Sequence, residues 1–137
     1  MAHKRKDIRA AVLTMLTGAT DAGANVFSNR TYNYEQAELP SLNINLDSET
    51  AVPRSLSSRQ SIRNIKMRIE VRAEANDDVE GILDDIATQI EDIFEQDRSL
   101  SGTAISTIYQ QTENEVDSNG ERIVGKMILT FEVQYID

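Results

Sequence analysis

Ile62-Arg63-Asn64-Ile65-Lys66-Met67-Arg68-Ile69-Glu70-Val71-Arg72-Ala73-Glu74 is the stretch that decides the fold. From Ile65 onward, apolar and charged residues alternate without a break. That is the two-residue period of a strand with one face in a core and one in water. At about 3.3 Å per residue the run spans roughly 40 Å, long against a usual strand of about five or six residues. The spacing therefore predicts a strand that overhangs its own core or bends along a curved sheet. Directly after it the period changes. Val79, Ile82, Leu83, Ile86, Ile90, Ile93 and Phe94 recur at three- and four-residue steps, with Asp84, Thr88, Glu91 and Glu95 opposite. This predicts an amphipathic helix within Asp77–Asp97, capped by Asn76 or Asp77.

Charge is sorted along the same two segments. Arg54, Arg59, Arg63, Lys66, Arg68 and Arg72 precede the helix with Glu70 as the lone acid among them. The helix then carries Asp77, Asp78, Glu80, Asp84, Asp85, Glu91, Asp92, Glu95 and Asp97 and no base. Glu80/Asp84 and Glu91/Glu95 are like-charge i,i+4 pairs, each unfavourable by roughly 0.2–0.5 kcal/mol. Asp92, Glu95 and Asp97 also oppose the helix dipole at its C-terminal end. Stability of an isolated subunit does not explain these choices. Contact with an oppositely charged surface does. Arg63, Lys66, Arg68 and Arg72 on the strand, and Asp84, Asp85, Glu91, Asp92 and Glu95 on the helix, are the expected contacts between copies of the chain.

Working outward, Ile8, Ala11, Val12, Met15 and Leu16 predict a first helix over Lys4–Leu16, stopped by Gly18. Short strands are expected at Val26–Ser28 and Thr31–Tyr34 around an Asn29-Arg30 turn, and a third at Leu42–Leu46. Residues 47–61, rich in serine and without periodicity, are expected to form a flexible loop that orders on assembly. Downstream, Thr103–Val116 and Glu121–Ile136 predict a long hairpin. Asn119-Gly120 favours a two-residue type I′ turn, which would set Val116 opposite Ile123, Asp117 opposite Arg122, Glu113 opposite Lys126 and Ile108 opposite Phe131. It also places Met127, Leu129, Phe131 and Val133 on one face. The predicted class is α+β: a mostly antiparallel, curved mixed sheet, two main helices packed on it, and a long C-terminal hairpin, all in one domain of 137 residues.

Composition narrows the chemistry. The formal net charge of −9 disfavours general affinity for nucleic acid or anionic membranes. No apolar run approaches a membrane span. The basic start Met1–Lys6 leads into an amphipathic segment, so no secretory signal is expected and the protein should be soluble and intracellular when made. The absence of cysteine excludes disulfides and thiolate metal sites. The single histidine, His3, lies in the basic tail, so no Ser/His/Asp set can be drawn from an interior histidine. No phosphate-loop, dinucleotide or nucleophile-elbow motif is present. Paired carboxylates for glycoside hydrolysis or a Mg²⁺ site lack neighbouring aromatic or apolar pocket residues. Lys4, Arg5, Lys6 and Arg9 offer a basic patch without interleaved aromatics. No catalytic residue, cofactor or metal is expected.

Asp7-Ile8-Arg9-Ala10-Ala11-Val12-Leu13, Asn25-Val26-Phe27-Ser28-Asn29-Arg30, Glu38-Leu39-Pro40-Ser41-Leu42, Ile69-Glu70-Val71 and Leu129-Thr130-Phe131-Glu132-Val133-Gln134-Tyr135 occur in this order. Together they resemble the tail terminator proteins of long-tailed bacteriophages, the minor tail protein U family. The Ser-rich segment and the density of acids on the second helix depart from that pattern. The resemblance implies a structural virion protein that forms a hexameric ring on the finished tail tube. Such a ring stops tube polymerisation and presents the head-joining surface. Its partners would be further copies of itself, the major tail tube protein and a head-completion or connector protein, with DNA only as passing cargo and no membrane. It would be assembled in the host cytoplasm and reside at the head-proximal end of the virion tail. Two other readings stand beside it: a head–tail neck or completion protein, and a nucleic-acid-binding accessory protein using the basic N-terminus.

Overall fold

The computed structural model describes residues 4–28, 39–53, 61–75, 77–100, 102–119 and 122–136. The elements are α1 (Lys4–Leu16), β1 (Val26–Ser28), β2 (Ser41–Pro53), β3 (Ser61–Ala75), α2 (Val79–Gln96), β4 (Ser106–Asn119) and β5 (Arg122–Ile136). The strands form one sheet in the order β1-β2-β3-β5-β4. β1 and β2 run parallel; all other neighbours are antiparallel. This is the α+β architecture read from the sequence, with both helices on one face of a mixed sheet.

β3 is the central strand. It pairs with β2 from Ser61 to Arg72 and with β5 from Ile62 to Ala75, so it is covered along its length and does not overhang. Ile65, Met67, Ile69, Val71 and Ala73 are buried beneath the helices, at most 1% exposed. Leu42, Ile44 and Leu46 stand opposite Val71, Ile69 and Met67 on β2. Met127, Leu129, Phe131 and Val133 supply the β5 share of the same core, as expected. From α1 come Ile8, Val12 and Leu16; from α2 come Val79, Leu83, Ile86, Ala87, Ile90 and Phe94. Full burial of each large aliphatic or aromatic chain is worth roughly 1.5–3 kcal/mol, and both apolar stripes are used whole.

Residues 47–53 and Ser61, expected to belong to a long loop over 47–61, are strand. β2 continues through Asp47 to Pro53 and pairs with Ser61–Lys66, after a register shift between Leu46 and Ser48. The extra residue, Asp47, breaks the alternation, which is why the sequence reads as irregular there. Residues 54–60 lie outside the described residues, as do Thr31–Tyr34 and the Asn29-Arg30 turn.

The cap of α2 is Asp78, one residue beyond Asp77 and two beyond Asn76, the expected positions. Its carboxylate accepts the Gly81 amide at 3.0 Å. Gly81 makes this possible, because a Cβ there would fall 2.2 Å from Asp78 Oδ2. At the other end of the helix the chain turns through Leu100, which takes a positive φ of 51° while its side chain is fully buried. Burial of that leucine outweighs a backbone conformation usually left to glycine. Gly125 on β5 lets α2 sit close to the sheet: a Cβ there would lie 2.8 Å from Leu83 Cδ1 and 3.0 Å from Val79 Cγ2.

The hairpin register also differs from expectation. Asn119 pairs with Arg122, which shifts β4 by two residues. Lys126 therefore faces Glu115, to which it bonds at 3.1 Å, and not Glu113. Val116 faces Gly125 in place of Ile123, and Asp117 faces Val124 in place of Arg122. A further irregularity between Tyr109 and Gln111 turns the start of β4 over, so Tyr109, not Ile108, stands opposite Phe131. A turn dipeptide fixes a local preference; the ion pair and the aromatic contact on this sheet settle the register.

Candidate assembly surfaces

The two segments with sorted charge end up in different surroundings. On β3 the even-numbered side chains point away from the helices, where Lys66, Arg68, Glu70, Arg72 and Glu74 line the open face of the sheet. This face is mixed in sign. Arg68 lies 3.5 Å from Asp47, Arg72 is bonded to Glu70 on its own strand, and Lys126 to Glu115. Arg63 is on the helix side, 3.5 Å from Glu49, whose other oxygen takes the Tyr135 hydroxyl. Lys66 is exposed opposite Glu132, and Glu132 accepts a 2.6 Å hydrogen bond from Gln110. The expected cations are thus present, but Arg63, Arg68 and Arg72 each have a carboxylate partner within the chain.

The α2 face is different. Asp84, Asp85, Asp92 and Glu95 are exposed and Glu91 is half-buried. Among the described residues the one ion pair on this face is Glu95 with Arg98 at 2.6 Å, and both partners are well exposed. The sheet lies between these carboxylates and Lys66, Arg68 and Arg72, and Arg63 on the helix side is paired with Glu49. What the sequence shows as adjacent blocks, the fold places on opposite sides.

A third surface was not visible in the sequence. α2 covers β3 and β5 and reaches little of β4, which leaves an open groove of about 350 Å³ between the helix and that edge strand. Its apolar part is Phe94, Phe131 and Tyr109, with edge-to-face ring contacts at 4.9 Å (Phe94–Phe131) and 5.8 Å (Tyr109–Phe131). Glu91, Asp92 and Glu95 form its rim. Thr107 completes the lining; it is 4% exposed and its Oγ1 has no hydrogen-bond partner. The nearby edge strand Ser106–Thr112 bears no charge and exposes Ile108 and Tyr109, preceded by exposed Ile105. That uncharged run was the available signal. The bulge that swings Tyr109 into the groove has no sequence signature.

Among the described residues there is no group of three or more His, Cys, Asp or Glu side chains placed to hold a metal. No helix there is long and apolar enough to cross a membrane. His3 lies outside the described residues.

A single mixed sheet covered on one face, with its charge and its groove at the surface, defines a chain suited to packing against other protein chains. The phage minor tail protein U family matches it over residues 3–135. The chain belongs to that family, and so it is a structural protein of the phage tail, located in the virion, where it assembles with other virion proteins. Among curated proteins none matches its sequence. Among solved structures, a chain from the virion of a native gene transfer agent (GTA) particle is similar, at 12% identity over 96% of this chain and 91% of that one, with a TM-score of 0.37. At that distance the assignment rests on the family match alone.

Proposed function

We propose that this protein closes the phage tail: copies of it form a ring, expected to be a hexamer, on the finished tube, stop addition of tube protein and present the surface that the head joins. The role is structural, not enzymatic. Its partners are its own copies, the major tail tube protein and a head-completion protein, and DNA passes through without specific contact.

The observation that carries this reading is the α2 face, where Asp84, Asp85, Glu91 and Asp92 have no counter-charge among the described residues. Repulsion of that kind is a cost to the free subunit and an asset to a docked one. Charge of one sign on a contact surface steers association and fixes register more than it adds affinity. A head-to-tail ring requires two unlike, complementary patches on each subunit. The strand cations Lys66, Arg68 and Arg72 on the open face, with Arg63 on the helix face, are the other proposed contacts. Lys66 is the most available of them, since the three arginines would have to exchange an internal carboxylate for one on a neighbour. Light scattering of the purified protein, followed by negative-stain microscopy with tube protein, tests the reading. Rings seated on tube ends are expected. A strictly monomeric protein at high concentration that tube protein does not bring into rings would refute it.

A further inference from the structure

The groove between α2 and β4 gives Glu91, Asp92 and Glu95 a more specific partner than the strand cations, which are left to face Asp84 and Asp85. Resting on the ring reading above, we propose that it receives the N-terminal turns of α1 from the next copy, with Lys4 and Lys6 set against Glu91, Asp92 and Glu95.

The groove is built to receive something. Thr107 Oγ1 is buried at its lining with no partner among the described residues, and an unmatched buried hydroxyl is a cost until a partner reaches it. Carboxylates and aromatic rings line the same groove, which suits a lysine: its methylene stem lies along exposed Tyr109 while the ammonium meets the acids. The strand beside the groove is a free sheet edge, Ser106–Thr112 without a charge to repel a neighbour. Its continuation, with exposed Glu113 and Glu115, is guarded by charge.

The matching surface is on the same molecule but at the far edge of the sheet. α1 packs over β1 and β2, whereas the groove borders β4. Lys4 and Lys6 are exposed, with Asp7 the only acid among Lys4, Arg5, Lys6, Asp7 and Arg9. Arg5 is committed to the Leu46 carbonyl at 3.0 Å. Arg9, half-buried, leaves its Nε without an acceptor. A basic element at one edge and an acidic groove at the other is the head-to-tail complementarity that produces a closed ring when the rotation between copies fits.

The chain contains no cysteine, so introduced ones report without background. An Ala10→Cys chain and a Gln96→Cys chain, both exposed positions that carry no charge, are mixed, assembled and treated with a short bis-maleimide. The mixture is expected to give a band at twice the chain mass, and neither chain alone should give one. Glu91→Lys/Glu95→Lys is expected to weaken assembly on the order of tenfold to a hundredfold. Adding Lys4→Glu/Lys6→Glu to the same chain should restore it. If rings form but the mixture does not cross-link, or the charge-reversed chain assembles like the parent, the seam lies elsewhere and the ring reading stands. If the parent forms no ring with or without tube protein, both readings fall.

Discussion

Replacing Glu91 by lysine should make the isolated subunit more stable and the assembly weaker. Glu91 and Glu95 are like-charged neighbours one turn apart on α2, and Glu91 has no ion pair among the described residues that would be lost. The substitution removes a repulsion of roughly 0.2–0.5 kcal/mol and substitutes an attraction of similar size. Glutamate and lysine have nearly equal helix propensity, so no helical term opposes the change. The sum is a stabilisation of about 0.4–1 kcal/mol, which for a chain of this size raises Tm by roughly 1–4 °C. The assay is thermal unfolding at low salt and at a concentration where the protein is monomeric, beside light scattering at high concentration. The gain should shrink at about 1 M salt, where the screening length is about 3 Å. Loss of more than about 1 kcal/mol of subunit stability would show that Glu91 serves the fold. Unchanged assembly would show that the acidic rim is only solvated surface.

Three further outcomes follow from the packing. Gly81→Ala should give little or no stabilisation in the parent chain, because the methyl displaces the Asp78 cap. In an Asp78→Ala background the same change should stabilise by about 1 kcal/mol, the ordinary helical gain; urea titration of the four chains measures the difference. Gly125→Ala should destabilise by roughly 1–2 kcal/mol, since the added methyl meets Leu83 at 2.8 Å and α2 must lift; an unchanged urea midpoint would contradict the close approach. Arg68→Glu should cost at most about 1 kcal/mol, because its pairing with Asp47 is half-exposed on both sides. A circular dichroism spectrum that collapses with this change would make the residue structural.

The alternation from Ile65 to Ala73 and the stripe from Val79 to Phe94 settled by themselves that there is a long strand followed by an amphipathic helix, because burial of one face repeats every two or 3.6 residues whatever the partner. The same holds for α1 and for the Met127–Val133 face of β5. From these the α+β class follows. What covers each face does not follow. Asp47 is one unmatched residue in a β-ladder, and it made a continuous strand look like a loop until its partners Met67 and Lys66 were known. Likewise the bulge after Tyr109 decides whether Ile108 or Tyr109 reaches Phe131. The charge blocks were legible as blocks, yet their meaning depended on distance. The arginines of β3 met carboxylates brought in by β2 and by their own strand, whereas Asp84, Asp85, Glu91 and Asp92 of α2 have no counter-charge among the described residues. The groove, and the hydroxyl of Thr107 within it, exists because α2 packs over β3 and β5 and reaches little of β4; at its other end Gly125 lets the helix approach the sheet at Val79 and Leu83. That approach joins residues more than forty positions apart, which no local pattern encodes.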